Sequence, residues 1–463
     1  MRIAAISVAP VFPDLVIGGS QKILADVTTG LKQAGHDIQI WSTGTEAHSG
    51  DFEIDSVPVH PVLRFRGAFP ATHQISPTAL AQTANRLSAA AEWADRVYLH
   101  ADAVYMRHAI EGAEIVRSIH DFVYEEALLS ALTLPAATTI VPSDYLKRCV
   151  ETTVAFSGRE TIEPVLSIPN GIKVPEAIPE PRLPAGVAPR EDGDLILLFP
   201  HRPEPTKGIH EAMLLATEIQ RQKPARKVRL LVPTYSDGSD LDAAAGSAEE
   251  IHDLARDLRA DHVVELHGWL KPTDMPGYYA AGDVTLCLGS FIESFGLVPV
   301  ESLASGTPSV CARVGALRQF EGIEGISMVP QADISAAAEA VSTLLEISGD
   351  DIESGQATIS SRYSFEAMID GYEKAITGEL GSERKVGHGS DEVLELTPWC
   401  AVSGDQIYDD YTGRSQGFPI MVERLASTNN SLHLDQGIVD DALRCEILRA
   451  VEQGILVRQF TFE

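Results

Sequence analysis

The chain has 463 residues, too many for one ordinary hydrophobic core, so roughly two or three domains are expected. Its 66 acidic and 36 basic residues give a formal charge of -30, which argues against a nucleic-acid groove or an anionic membrane as the main partner. Five cysteines, Cys149, Cys287, Cys311, Cys400 and Cys445, show no CxxC or Cys/His spacing; neither a zinc site nor a disulfide framework is indicated, and a reducing cytoplasm fits.

The opening MRIAAISVAPVF is broken at Pro10 and is too short for a membrane span, so no span and a soluble, cytoplasmic protein are expected. Residues 2–8 read as a buried strand. A loop ending in Gly18-Gly19 then feeds a helix with Ile23, Leu24, Val27 and Leu31 at helical spacing. Gly35 stops that helix, and Asp37 to Trp41 form the next strand, which makes a parallel βαβ unit. Further strands are expected at 96–99, 115–119 and 138–141. Residues 169–193, PNGIKVPEAIPEPRLPAGVAPREDG, read as a linker.

The alternation restarts with LILLF at 195–199, a helix over about 208–220 and VRLLVP at 228–233. It continues with strands at 263–266, 284–288 and 309–312. The predicted fold class is α/β, two doubly wound Rossmann-like domains over 1–180 and 181–360 facing a cleft at the carboxyl ends of their sheets. Residues 361–384 follow as an amphipathic helix over 361–377 and a linker over 378–391 overlapping the tail. The tail, 385–463, with helices at 418–426 and 438–452 and a strand at ILVRQF, resembles a small winged-helix-like module.

Within FIESFGLVPVE, Glu293 and Glu301 stand eight residues apart. Pro299 is tolerated only in a helix's first turn, so the helix ending at Ser305-Gly306 starts near Gly296 or Leu297. Glu293 then lies in the loop and Glu301 inside the helix. Eight helical residues span about 12 Å, whereas carboxylates flanking one glycosidic bond sit roughly 5 to 9.5 Å apart, which disfavours a hydrolase pair. Free amides at 294–297 point out of a helix N-terminus and suit a phosphate. Beside it, Glu293 and Glu301 can accept hydrogen bonds from sugar hydroxyls. Two solvated charges at a helix start would look the same.

Arg202 and Lys207 in PHRPEPTKG sit at the carboxyl edge of the second sheet, where they can neutralise a diphosphate. Gly18 and Gly19 permit close backbone approach, though an ordinary turn would also use them. His120-Asp121, after the strand EIVRSI, can face the cleft, but position alone favours a structural histidine. Asp237 and Asp240 in YSDGSD read as a solvated loop, so no metal is expected.

In this order the motifs resemble the retaining glycosyltransferases of the GT-B fold, family 4, from residue 1 to about 378. The resemblance is carried by GGSQKILADVTTGLKQAGHDI, IHD, VPSDYLK, SIPNGI, RPEPTKG, LHGWL, YYAAGDV and ESFGLVPVESLASGTPSV. It implies a nucleoside-diphosphate sugar donor and metal-independent, front-face transfer to an acceptor, without a cofactor. Glu293 and the amides of Ser294, Phe295, Gly296 and Leu297 would hold the donor sugar, and Glu301 the ribose. Arg202 and Lys207 would hold the diphosphate, Gly18 and Gly19 would approach it, and His120 would bond the sugar near the reacting carbon. Gly268 and Leu270 would border the base through backbone groups.

Two positions depart from the family pattern: Pro200-His201 replaces a glycine before Arg202, and Ala316 replaces a glycine in RVGALRQ. A soluble acceptor is expected in a groove built from loops such as 60–75. Alternatives are a sugar-nucleotide epimerase or hydrolase on the same fold, or a protein whose tail docks a peptide or protein partner. A tail that buttresses the core or self-associates is the simpler expectation for that module.

Overall fold

The computed structural model describes the chain except residues 13–15, 17, 46–48, 65–75, 102–109, 111, 122, 124, 235–246, 379–382, 390–392, 428, 429 and 435–440. Asp237, Asp240 and most of the 60–75 segment therefore lie outside the described residues. Residues 60–63, expected in a loop, belong to the strand Val57–Leu63.

Eight strands form the first sheet. From one edge they run Phe52–Ile54, Val57–Leu63, Asp37–Thr43, Arg2–Pro10, Arg96–His100, Ile115–Ser118, Thr138–Val141 and Val165–Ser167. All neighbours are parallel except the first pair. The second sheet is wholly parallel and runs Val264–Gly268, Lys227–Thr234, Asp194–Leu198, Val284–Cys287, Ser309–Ala312 and Ile326–Val329. Leu195, Ile196, Leu197 and Leu198 are all completely buried, as an unbroken apolar run must be when helices cover both faces. Two buried arginines interrupt the apolar strands and are neutralised in place. Arg117 pairs with Glu163, and Arg229 lies 2.8 Å from Asp194 and 2.7 Å from Glu265.

The expected amphipathic helix begins later than its periodicity suggested. Residues 361 and 362 end the preceding helix Gly349–Arg362; Tyr363 leaves helical geometry, and the extended Ser364 caps Phe365–Thr377 by accepting the Ala367 amide at 3.2 Å. Met368, Tyr372, Ala375 and Ile376 of this helix pack into the core of the first sheet, so the chain crosses back after building the second.

The segment expected as a linker over 378–391 contains the strand Arg384–His388. It pairs antiparallel with Thr161–Ile162 of the first lobe and with Phe460–Phe462. In the tail the helices Pro419–Ser427 and Asp441–Glu452 and the strand Leu456–Arg458 stand where expected. Antiparallel strands accompany them, including the meander Cys400–Ser403, Gln406–Asp409 and Arg414–Gly417, which the winged-helix-like expectation did not include. Ile407, Phe418, Met421, Leu425 and Ala450 give this module a core of its own.

Candidate active site

Strand order reverses between Asp194–Leu198 and Val284–Cys287 in the second sheet, so the loops leaving these strands diverge and open a crevice at their carboxyl ends. The two loops are zipped together at their base. The Phe291 amide donates to the Thr206 carbonyl at 2.9 Å, and a Cβ added at Gly289 would lie 2.3 Å from that same carbonyl oxygen. Only glycine permits this approach. Lys207 is thereby delivered to Glu293.

Lys207 Nζ lies 2.7 Å from Glu293 Oε1 and 3.5 Å from the centre of the Phe291 ring. Burial alone would push the Glu293 carboxyl up, but Lys207, with His201 and Arg202, holds it below the ordinary carboxylate range. Arg202 is 3.0 Å from Glu204, close enough for charge pairing though not aligned as a hydrogen bond.

The helix Leu297–Ala304 starts at Gly296, whose φ of 92° is left-handed, and no side chain caps it. Ser143 Oγ donates to the Ser294 carbonyl at 2.6 Å and Gln319 Nε2 to the Phe295 carbonyl at 2.8 Å. The amides of residues 294–297 make no hydrogen bond to another described residue, which leaves them and the helix dipole for an anion.

Glu301, one turn into the helix, approaches Tyr279 Oη at 3.4 Å and Lys22 Nζ at 3.9 Å. Burial raises its carboxyl, against the pull of Lys22 and Tyr279.

The first lobe closes the opposite wall. Gly19 meets Leu297 so closely that a Cβ would lie 2.9 Å from Leu297 Cδ1, and Ser294 Oγ donates to the His120 carbonyl. Trp269 Nε1 donates to the Val16 carbonyl at 3.2 Å. His120 is buried, its Nε2 lies 3.1 Å from Ser118 Oγ, and its ring lies 4.4 Å from that of His100. Burial and the neighbouring His100 push the His120 imidazole well below its usual range, so the ring is neutral at physiological pH.

Between the lobes lies a cavity of about 350 Å³. The site residues expected from the sequence converge on it: Gly18, Gly19, His120, Arg202, Lys207, Leu270, Glu293, Ser294, Phe295, Gly296, Leu297 and Glu301 all line it. Gly268 ends its strand between two lining residues, His267 and Trp269, without lining the cavity itself.

Residues 186–358 match the family described as glycosyl transferases group 1. That match covers the second lobe and less than half of the chain. It is 32% identical over 189 residues to the D-inositol 3-phosphate glycosyltransferase of Corynebacterium kroppenstedtii, covering 39% of this chain and 41% of that protein. The corresponding enzyme of Kineococcus radiotolerans is 25% identical over 331 residues, 65% of this chain and 74% of that one. The chain thus spans about two fifths of the first relative's length. Sucrose-phosphate synthase from Thermosynechococcus elongatus superposes with a TM-score of 0.61 at 20% identity, covering 81% of this chain and 97% of that one. Anabaena HepE in complex with UDP and glucose superposes with the same score at 18% identity, covering 81% and 99%. These likenesses establish the GT-B fold. Among the described residues no helix is long and apolar enough to cross a membrane.

Two groups in this cleft escaped the sequence-based site, and a third, Asp121, enters it only as part of the His120-Asp121 pair that can face the cleft. Lys22 sits on the helix Gly19–Gln33, one turn after Gly19, and that spacing was the available signal. Asn170, which lines the cavity with a buried Oδ1 lacking a hydrogen-bond partner among the described residues, stood in the quoted SIPNGI. Asp121 directly follows His120.

Burial pushes the Asp121 carboxyl up to about 7; Lys207 and Arg202 oppose the shift and Glu293 adds to it. Its folded pKa exceeds the ordinary 3.8, so its contribution to stability is complete below about pH 4 and is lost as pH rises through about 7. Ionised Asp121 would also add a carboxylate beside Glu293. Affinity for a sugar nucleotide, whose diphosphate does not titrate in this range, is therefore expected to fall severalfold between about pH 6 and about pH 8. Asp121→Asn should flatten that fall in calorimetry, and an unchanged slope would contradict the assignment.

Proposed function

We propose that the chain is a retaining glycosyltransferase that moves a hexose-type sugar from a nucleoside diphosphate to a soluble acceptor in the cytoplasm. What carries the proposal is one cavity in which free helix-start amides, Lys207 and Arg202 are flanked by Glu293 and Glu301. Residues 1–180 serve the acceptor and residues 181–360 the donor.

In this assignment the diphosphate rests on the amides of 294–297, and Glu301 accepts from the ribose hydroxyls in place of its contact with Lys22. Lys207 passes from Glu293 to a phosphate oxygen, which frees the Glu293 carboxylate for the sugar hydroxyls. Neutral His120 bonds the sugar near the anomeric carbon. The acceptor oxygen attacks that carbon on the face the diphosphate leaves, and the departing phosphate oxygen takes the acceptor's proton. One C–O bond breaks and another forms with the same configuration. Arg202, Lys207 and the helix dipole meet the charge developing on the leaving group, so the step needs neither a protein base nor a divalent ion.

UDP-glucose, named with a second Anabaena HepE structure, is the first donor to test. D-inositol 3-phosphate, from the names of the curated relatives, is the first acceptor. Thermal shift across a panel of sugar nucleotides should single out the donor, because a bound ligand stabilises by mass action. With that donor, UDP or its analogue should be released only when acceptor is present, in EDTA as without it, and the product should keep the donor's anomeric configuration. Equal release without acceptor would instead favour a hydrolase.

A further inference from the structure

Besides its strand pairing with the first lobe, the appended module meets the rest of the chain behind the donor cradle, where one buried carboxylate joins it to both lobes. Asp410, at the turn after the strand Gln406–Asp409, has a side chain with no solvent exposure. Its Oδ2 accepts Tyr145 Oη at 2.8 Å and Arg318 Nη1 at 2.9 Å, while its Oδ1 accepts the Gly315 amide at 3.2 Å and a second bond from Arg318. Asp410 thus joins three parts of the molecule: the tail, the first-lobe helix Asp144–Phe156 and the second-lobe segment Gly315–Phe320.

Both partner segments touch the cradle. Ser143, which caps the helix bearing Tyr145, holds the Ser294 carbonyl. On the other side the Ala316 amide donates to the Glu293 carbonyl at 2.8 Å, and Gln319 holds the Phe295 carbonyl. Gly315, at a φ of 54°, presses on Glu293 so closely that a Cβ would sit 2.7 Å from its carbonyl oxygen. Ala316, where the family pattern has glycine, is completely buried in the cluster against which Trp399 of the tail packs. Apolar packing and a doubly paired carboxylate therefore meet at one place.

We propose that Asp410 is a positioning residue for donor binding: by fastening Tyr145 and Gly315–Arg318 to one buried carboxylate, the appended module completes the cradle formed by residues 293–297. This deepens the glycosyltransferase assignment and rests on it for the identity of the ligand. The geometry of the strut does not depend on that assignment. Removing the carboxylate leaves buried Tyr145 and the half-buried Arg318 without this acceptor, although Arg318 Nε keeps the Arg313 carbonyl, so the cradle loses support from both lobes at once.

The test uses the full chain as wild type, Asp410→Ala, Asp410→Asn and Leu425→Ala, with UDP as the probe. Leu425 lies in the module's own core, so its variant controls for a general loosening of the tail. Asp410→Ala is expected to weaken UDP binding at least about tenfold by calorimetry. Asp410→Asn, which keeps an acceptor oxygen, should fall between, and Leu425→Ala should bind within about twofold of wild type while melting at a lower temperature.

Hydrogen exchange without ligand gives an independent readout. Amides of residues 293–297 should exchange faster in Asp410→Ala and not in Leu425→Ala. Unchanged exchange there in folded Asp410→Ala, or equal acceleration in Leu425→Ala, would overturn the proposal. Faster exchange confined to Asp410→Ala, in a protein whose wild type ignores UDP, would uphold the strut and reject the uridine donor site.

Discussion

Lys207→Ala is expected to lower kcat/KM for the sugar-nucleotide donor by about 10²- to 10³-fold, the loss seen when one preorganised charge-stabilising group is removed from an active site. Two effects combine. The leaving diphosphate loses a cation placed within the cavity, and Glu293 loses the partner 2.7 Å away that offsets its burial. With that partner gone, the Glu293 carboxyl should move up, and any charge it retains would repel the donor. The loss should appear in both kcat and KM, because in the proposed pose Lys207 would contact the bound diphosphate and also meet the charge that grows in the transition state. Steady-state kinetics with Lys207→Ala and Lys207→Arg would separate charge from geometry: the arginine variant should recover part of the affinity.

Glu301→Ala is expected to act differently. In the proposed donor pose its carboxylate would face the ribose, far from the bonds that change, so it would bind ground state and transition state alike. Losing a hydrogen bond to a charged acceptor costs about 1.5 to 3 kcal/mol, which corresponds to a rise in donor KM of about ten- to hundredfold. kcat should change much less. The substitution also removes the Lys22 contact at 3.9 Å, while Lys22 keeps its ion pair with Asp26 at 2.9 Å. Donor-induced thermal stabilisation should then vanish at concentrations that stabilise the wild type. Unchanged donor affinity would remove Glu301 from the site.

Much of this cleft was legible in the sequence because its determinants are local. Pro299 fixed where the helix starts, which separated Glu293 in the loop from Glu301 in the helix. Continuous apolar runs such as LILLF located the central strands, and parallel order then placed Lys207 and Arg202 at the same edge as the helix.

Less local features stayed hidden. VPVHPVL forms a strand despite two prolines and a histidine, and RKVGH forms one with a single valine, because distant partners complete the sheets. No local pattern announces that Asp410 reaches a glycine amide 95 positions away. The raised Asp121 carboxyl likewise comes from burial in the assembled cleft, with Glu293 of the other lobe adding to the shift and Lys207 and Arg202 opposing it.

The most direct measurement is a crystal structure of the chain soaked with UDP. The pyrophosphate should lie against the amides of residues 294–297 with Lys207 turned toward it and the ribose hydroxyls on Glu301, in crystals grown with EDTA. A nucleotide bound away from that helix start, or one held there only through an added divalent ion, would contradict the account.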